Sequence, residues 1–196
     1  GQTEREVQAE LQRRILAKGG KLTFCILASG PAAAEPHHLT DERRLESGDV
    51  VIIDFGCELD HYQADITRTI GFGPVEKEAR EVYRIVYRAH HAALAKAAPG
   101  VTGAEVDAAA RSVIADAGYG QYFIHRTGHG IGLSGHEEPN MASTNHLPLE
   151  EGDAFSIEPG IYVPGRWGVR LENIVTCARE GALSLNAPFP TEMILL

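Results

Sequence analysis

Basic residues are scarce in this chain: across 196 residues, 18 Lys and Arg face 27 Asp and Glu, a net charge of -9. No basic run stands out, which excludes nucleic acid and anionic membrane surfaces as primary partners. Cysteine is scarcer still. Cys25, Cys57 and Cys177 stand singly in apolar, strand-like runs with no CxxC spacing, so a disulfide framework and a thiolate zinc site are both excluded. The three read as small buried hydrophobes of a protein in a reducing, cytoplasmic compartment. No apolar run has the length of a membrane span, and no signal-peptide pattern is present. What remains, 43% hydrophobic and 23% charged residues, is ordinary globular composition.

The acids are arranged in pairs. Asp54 and Asp65 lie in VVIIDFGCELDHYQADITRTI, and the midpoint between them falls between Leu59 and Asp60, in a polar turn. Opposed residues of an antiparallel pair share a face, so the two aspartates are expected to face each other. In AFSIEPGIYVPGRWGVRLENIV the midpoint between Glu158 and Glu172 is Gly165, inside Pro164-Gly165-Arg166, which is strong turn chemistry. Those glutamates are expected to oppose each other too. His129 lies between the hairpins in a glycine-rich run. Four ionised carboxylates converging on one cavity repel: at about 4 Å and an effective dielectric of roughly 20, each like-charged pair costs about 4 kcal/mol. Such a cluster needs cations or protons. Two divalent ions cancel the four charges, and oxygen-rich ligation with one imidazole suits Mn²⁺, Fe²⁺, Co²⁺ or Zn²⁺.

The chain also repeats itself. GQTEREVQAELQRRILAKGG recurs as GVTGAEVDAAARSVIADAGYG at a constant offset of 99 residues, with Thr3 and Glu6 matching Thr102 and Glu105. Each copy carries a capping-box signature, apolar positions at helical spacing and a closing glycine. The spacing predicts helices over 3–18, 75–97 and 103–117, strands over 21–28 and 121–128, strand hairpins over 50–70 and 153–177, and a short final strand at 191–195. A loop follows the first strand through Pro36, and another joins the 121–128 strand to the second hairpin. Helices on one face of a curved, mostly antiparallel sheet make an α+β domain, with the acids on the concave face.

The run Asp54–Thr69, HRTGHGIGLSGHEEP, SIEPGIY and VRLENIV together resemble the M24 metallopeptidases of the pita-bread fold. D-I-T-R-T, E-P-G-I-Y and R-x-E-N are similar to its Xaa-Pro branch, prolidase and aminopeptidase P. That family is itself a pseudo-symmetric duplication, in agreement with the repeat. The resemblance implies a catalytic domain spanning 1–196, without the family's N-terminal domain and first catalytic helix, and a homodimer in the full-length protein. It implies two divalent ions, most readily Mn²⁺, and a proline-containing peptide substrate cleaved at the bond before proline by a metal-bridging hydroxide.

Carried over position by position, the resemblance makes Asp54 a ligand of one ion, Asp65 and Glu172 bridges between two, and His129 and Glu158 ligands of the second. Glu158 is also the proton shuttle. His136 resembles the histidine that donates to the substrate carbonyl, His125 one that contacts substrate near proline, and His37 the one that closes the pocket. Arg170, two residues before Glu172, shares its strand face and is expected to hold Asp54 or the glutamate in place. Tyr162 is expected to pack rather than act. His38, His61, His90, His91 and His146 read as core or surface residues. Ser134-Gly135 departs from the family pattern, which carries bulkier residues before the final histidine. Gly128, Gly130 and Gly132 lack the lysine and strand-to-helix context of a phosphate loop. Two alternatives stand beside the peptidase: a non-peptidase enzyme of the same fold, creatinase-like or a lyase, and an inactive peptide-binding module.

Overall fold

The two copies of the repeat open with the same local device. In the computed structural model, which describes residues 1–196, helix α1 (Glu4–Ala17) and helix α3 (Gly103–Asp116) both begin in a complete capping box. The Thr3 and Thr102 hydroxyls accept from the Glu6 and Glu105 N–H groups, whose carboxylates accept back from the threonine N–H groups. Each copy satisfies two of the N–H groups that a helix start otherwise leaves unpaired. Between them runs α2 (Lys77–Lys96), whose buried Val82, Val86, Ala89 and Ala93 join Val106, Ala110 and Ile114 of α3 in the 26-residue main core. No helix is long and apolar enough to cross a membrane.

The first half is an antiparallel meander of β1 (Lys21–Ser29), β2 (Asp49–Leu59) and β3 (Tyr62–Phe72), with a 3-10 turn at Gly30–Ala34 after β1. The second half contains β4 (Gly128–Gly130), β5 (Glu137–Met141), β6 (Ala154–Ile157), β7 (Gly160–Val163), β8 (Trp167–Arg170), β9 (Asn173–Ala178) and β10 (Gly181–Ser184). Five of these form a sheet in the order β10-β9-β6-β4-β5, while β7 and β8 pair separately. Every ladder is antiparallel. The α+β class therefore stands.

Four expectations need correction. The first hairpin turns on Asp60 and His61, both at positive φ, a two-residue left-handed turn that pairs Leu59 with Tyr62. Asp54 is thus opposite Thr67 and Asp65 opposite Gly56: the aspartates share a face diagonally instead of facing directly. Second, the strand expected over 121–128 is absent up to Thr127 and begins only at Gly128 with β4; a 3-10 turn at Gly120–Tyr122 leads into an irregular stretch, where side chains of α3 take up backbone groups. Third, the segment at 191–195 makes only one bridge, Leu195 to Gly71. Fourth, β5 and β10 form where no strand was expected; β5 is polar and carries Pro139, and it lies at a sheet edge that tolerates proline.

The second hairpin keeps the expected register about Gly165, with Val163 opposite Trp167 and Ile157 opposite Asn173. It splits at Glu158-Pro159 and Leu171-Glu172. Proline has no N–H for the ladder, and the Glu158 and Glu172 N–H groups donate instead to the carbonyls of Thr127 and Thr67. The glutamate side chains are thereby carried to the seam between the two halves.

Candidate metal centre

All nine residues singled out from the sequence line one cavity of about 370 Å³: Asp54, Asp65, Glu158, Glu172, His37, His125, His129, His136 and Arg170. Phe24, Ile26, Pro36 and Arg126 complete its wall. The donor atoms of the five expected ligands form two overlapping triads, Asp54–Asp65–Glu172 and His129–Glu158–Glu172, and His136 makes a third with Asp65 and His129, each with its atoms within 4.8 Å of one another. Glu172 belongs to the first two.

Arg170 is the counter-charge beside the first triad. Its guanidinium is buried, donates from Nη2 to Asp54 Oδ2 at 2.6 Å, and reaches the Tyr162 hydroxyl from Nη1 at 2.7 Å. Of the two partners expected for it, Asp54 is the one it holds. One guanidinium does not neutralise four acids, and the others respond. Burial, then the charges of Asp54 and Glu158, push Asp65 up to about 8. Burial pushes Glu158 up to about 7 against the pull of Arg170, and burial with the Asp65 charge raises Glu172 well above the usual carboxylate range.

The histidines are held in defined tautomers. A carbonyl can only accept, so His129 Nδ1 donates to the Gly130 carbonyl at 2.9 Å. The Nε2 lone pair of His129 then points at Glu158 Oε1, 3.4 Å away, and Asp65 Oδ2, 3.7 Å away. Burial lowers His129 to about 4, so the ring is neutral at pH 7. His136, more exposed, packs its ring 3.9 Å from that of His129. His125 has both nitrogens occupied: Nδ1 donates to the Arg126 carbonyl at 2.7 Å, and Nε2 accepts from the Tyr162 hydroxyl at 2.8 Å. It lines the cavity with its ring rather than with a free nitrogen. Tyr162, expected only to pack, is instead the link between Arg170 and His125.

This donor set fits divalent cations. Asp54 Oδ1, Asp65 Oδ1 and Glu172 Oε1 are buried with no hydrogen-bond partner, a costly state for carboxylate oxygens unless a cation or proton meets them. The His129 lone pair aimed at two carboxylates is repulsive for the same reason. Carboxylate oxygens with one imidazole are hard, borderline ligands of the kind that Mn²⁺, Fe²⁺, Co²⁺ and Zn²⁺ accept.

A family model described as metallopeptidase family M24 matches residues 1–179. The chain belongs to metallopeptidase family M24. Family membership implies divalent metal ions, in agreement with the unpaired oxygens. The M24 chain is 47% identical over 198 residues to the probable dipeptidase PepE of Mycobacterium tuberculosis, covering 100% of this chain and 52% of that protein. It is 44% identical to the Xaa-Pro dipeptidase of Pyrococcus furiosus, covering 94% of this chain and 54% of that one. The crystal structure of dipeptidase PepE from Mycobacterium ulcerans superposes with a TM-score of 0.96 at 49% identity, over all of this chain and 53% of that one. The M24 chain thus spans about half the length of the relatives it matches, and its fold is the pita-bread α+β fold.

Sequence reasoning passed over the residues that orient the acids. Thr67 Oγ1 donates to Glu172 Oε2 at 2.6 Å, and Ser156 Oγ donates to Glu158 Oε1 at 2.9 Å while accepting from the His129 N–H. The signal was present: Thr67 lies two residues from Asp65 and Ser156 two from Glu158, the strand parity that shares a face.

Proposed function

We propose that this chain hydrolyses the peptide bond preceding proline, with two divalent ions, most readily Mn²⁺, held by Asp54, Asp65, His129, Glu158 and Glu172. The observation that carries the reading is the set of three buried, unpartnered carboxylate oxygens beside the His129 lone pair. The similarity to Xaa-Pro dipeptidases supports the choice of bond. When bound, the ions supply charge neutralisation and Lewis-acid activation of water.

The chain's own residues do the rest. Arg170 keeps Asp54 oriented, and Thr67 and Ser156 orient Glu172 and Glu158. Glu158, whose Oε1 is engaged by Ser156, takes the proton of the attacking water and delivers it to the proline nitrogen as the C–N bond breaks. His136, on the open side of His129, donates to the carbonyl oxygen as charge develops there. His37 closes the cavity from the first half, and the His125 ring with Phe24 and Ile26 bounds the substrate. Three free cysteines support a reducing, cytoplasmic setting. Exposed Leu59, Tyr62 and Leu133 support a homodimer of the full-length protein.

The test is proline release from Xaa-Pro dipeptides and Xaa-Pro-Yaa peptides in Mn²⁺ or Co²⁺, with Asp65→Ala as control. Release by the wild type that Asp65→Ala abolishes supports the reading. Retained activity in Asp65→Ala, or no release by the wild type, contradicts it.

A further inference from the structure

The irregular stretch between Phe123 and Thr127 carries His125 and runs directly into His129; its last residue meets a strand, the Thr127 N–H donating to the Met141 carbonyl of β5 at 2.9 Å. The stretch is held from behind by helix α3. Asp107 Oδ1, on a residue 1% exposed, accepts from the Thr127 N–H at 3.1 Å and from the Thr127 hydroxyl at 2.8 Å. Arg111, one turn on, is tied to Asp107 through two bonds of 2.9 and 3.0 Å and donates to the carbonyls of Phe123 and His125. The Thr127 carbonyl in turn accepts from the Glu158 N–H at 2.7 Å. One buried carboxylate thus sits behind His125, His129 and Glu158 without lining the cavity.

The first half has a counterpart. Glu4, wholly buried in α1, accepts from the Ser29 N–H at 2.8 Å and the Ser29 hydroxyl at 2.7 Å. It also meets His38 Nε2 at 3.0 Å and accepts from the Asp41 N–H at 3.2 Å. In both halves a helix acid grips the N–H and the hydroxyl of a Ser or Thr at a strand boundary, Ser29 closing β1 and Thr127 preceding β4. In both halves the chain it secures bears a cavity histidine.

We infer that Asp107 and Glu4 are positioning residues: Asp107 sets the His125–His129 segment and Glu158, and Glu4 sets the loop that carries His37. The inference rests on the metal reading of the centre proposed above. The two residues have separable signatures, because ligands of the proposed cavity centre follow Thr127 whereas none of that centre's five ligands lies on the Ser29–Asp41 loop, whose His38 and Asp41 group with Glu4 apart from the cavity. Removing Asp107 weakens metal binding at the cavity centre and lowers kcat; removing Glu4 raises KM and leaves metal binding at that centre unchanged.

The experiment is Mn²⁺ titration by calorimetry together with kcat and KM on an Xaa-Pro dipeptide. It compares wild type, Asp107→Ala, Asp107→Asn, Glu4→Ala and the core control Val106→Ala, a buried neighbour on α3. Outer partners of metal ligands are worth roughly 10- to 100-fold in metal affinity, and a loss in that range is expected for Asp107→Ala. Partial recovery is expected in Asp107→Asn, whose remaining oxygen still serves Thr127. Val106→Ala lowers the melting temperature without weakening Mn²⁺ binding. Wild-type affinity and kcat in Asp107→Ala, or an equal loss in Val106→Ala, overturns the inference. So does Glu4→Ala with unchanged KM. If Asp107→Ala does not fold, Thr127→Val, which removes only the hydroxyl contact, must show a smaller loss in the same direction. A wild type that binds Mn²⁺ but cleaves no Xaa-Pro bond sinks the proposed substrate while the titration still decides the inference.

Discussion

Replacing Arg170 by Met removes the buried counter-charge while keeping most of the side-chain volume. Asp54 Oδ2 then loses its 2.6 Å partner, and its Oδ1 is already without one. Tyr162 loses the donor to its hydroxyl. Breaking a buried pair from one side costs about 3–5 kcal/mol, because the remaining charge stays desolvated. For a chain of this length each kcal/mol is worth roughly 2–4 °C in melting temperature, so metal-free Arg170→Met is expected to melt about 6–20 °C below wild type. Calorimetry without metal measures this directly. Asp54→Asn removes the stranded charge, so the double variant should fall short of the summed losses by about 1–3 kcal/mol. Saturating Mn²⁺ should narrow the deficit, since a cation replaces the missing guanidinium. A metal-free Arg170→Met that melts within about 2 °C of wild type would refute the reasoning.

Metal-free protein should lose stability as pH rises from 6.5 to 8. Asp65 rises from 3.8 to about 8 on folding and Glu172 moves the same way, so their contribution is complete below the unfolded value and is lost as pH climbs through the folded one. His125 and His129, lowered to about 4, act in the opposite sense only below about 6.5, where unfolded histidine begins to take up protons. Melting curves at the two pH values, with chelator, check this; a flat or rising trend rules it out. Gly128→Ala sets a methyl group against the Ser156 carbonyl across β4 and β6, with an expected cost of about 1–3 kcal/mol and weaker Mn²⁺ binding through the adjacent His129. A variant with unchanged melting and titration curves would contradict that close approach. His90, 1% exposed with neither ring nitrogen partnered and lowered to about 3 by burial, should be improved upon by Leu, raising the urea midpoint by an amount worth about 1 kcal/mol. A lower midpoint would show that the imidazole has a partner inside the fold.

The parts of the fold that depend on local chemistry were legible. Both capping boxes lie in Thr-x-x-Glu spacing, and the second hairpin turns on Pro164-Gly165-Arg166 as its composition demands. The first hairpin is offset by one residue at the turn because His61 joins Asp60 at positive φ, a conformation that aspartate advertises and histidine does not. Parity survived that shift, which is why the aspartates still share a face. Residues 121–127 differ for another reason: the Tyr122-Phe123-Ile124 run reads as a strand, but Arg111 and Asp107 of the preceding helix take up backbone groups that a ladder would use. The metal-ligand candidates were legible through charge, since four acids on one cavity need cations or protons. The Arg170–Asp54 contact was one of the two expected, whereas the Tyr162 link between Arg170 and His125 was not, because it depends on hydroxyl geometry.

The most direct measurement is the number of Mn²⁺ ions bound per chain, taken by elemental analysis after dialysis against Mn²⁺ and repeated on Asp65→Asn. Two ions per wild-type chain, with loss of metal in the variant, is the expected result. A wild type that retains no metal, or an Asp65→Asn chain that still holds two ions, would contradict the reading of the four carboxylates and His129 as a dinuclear centre.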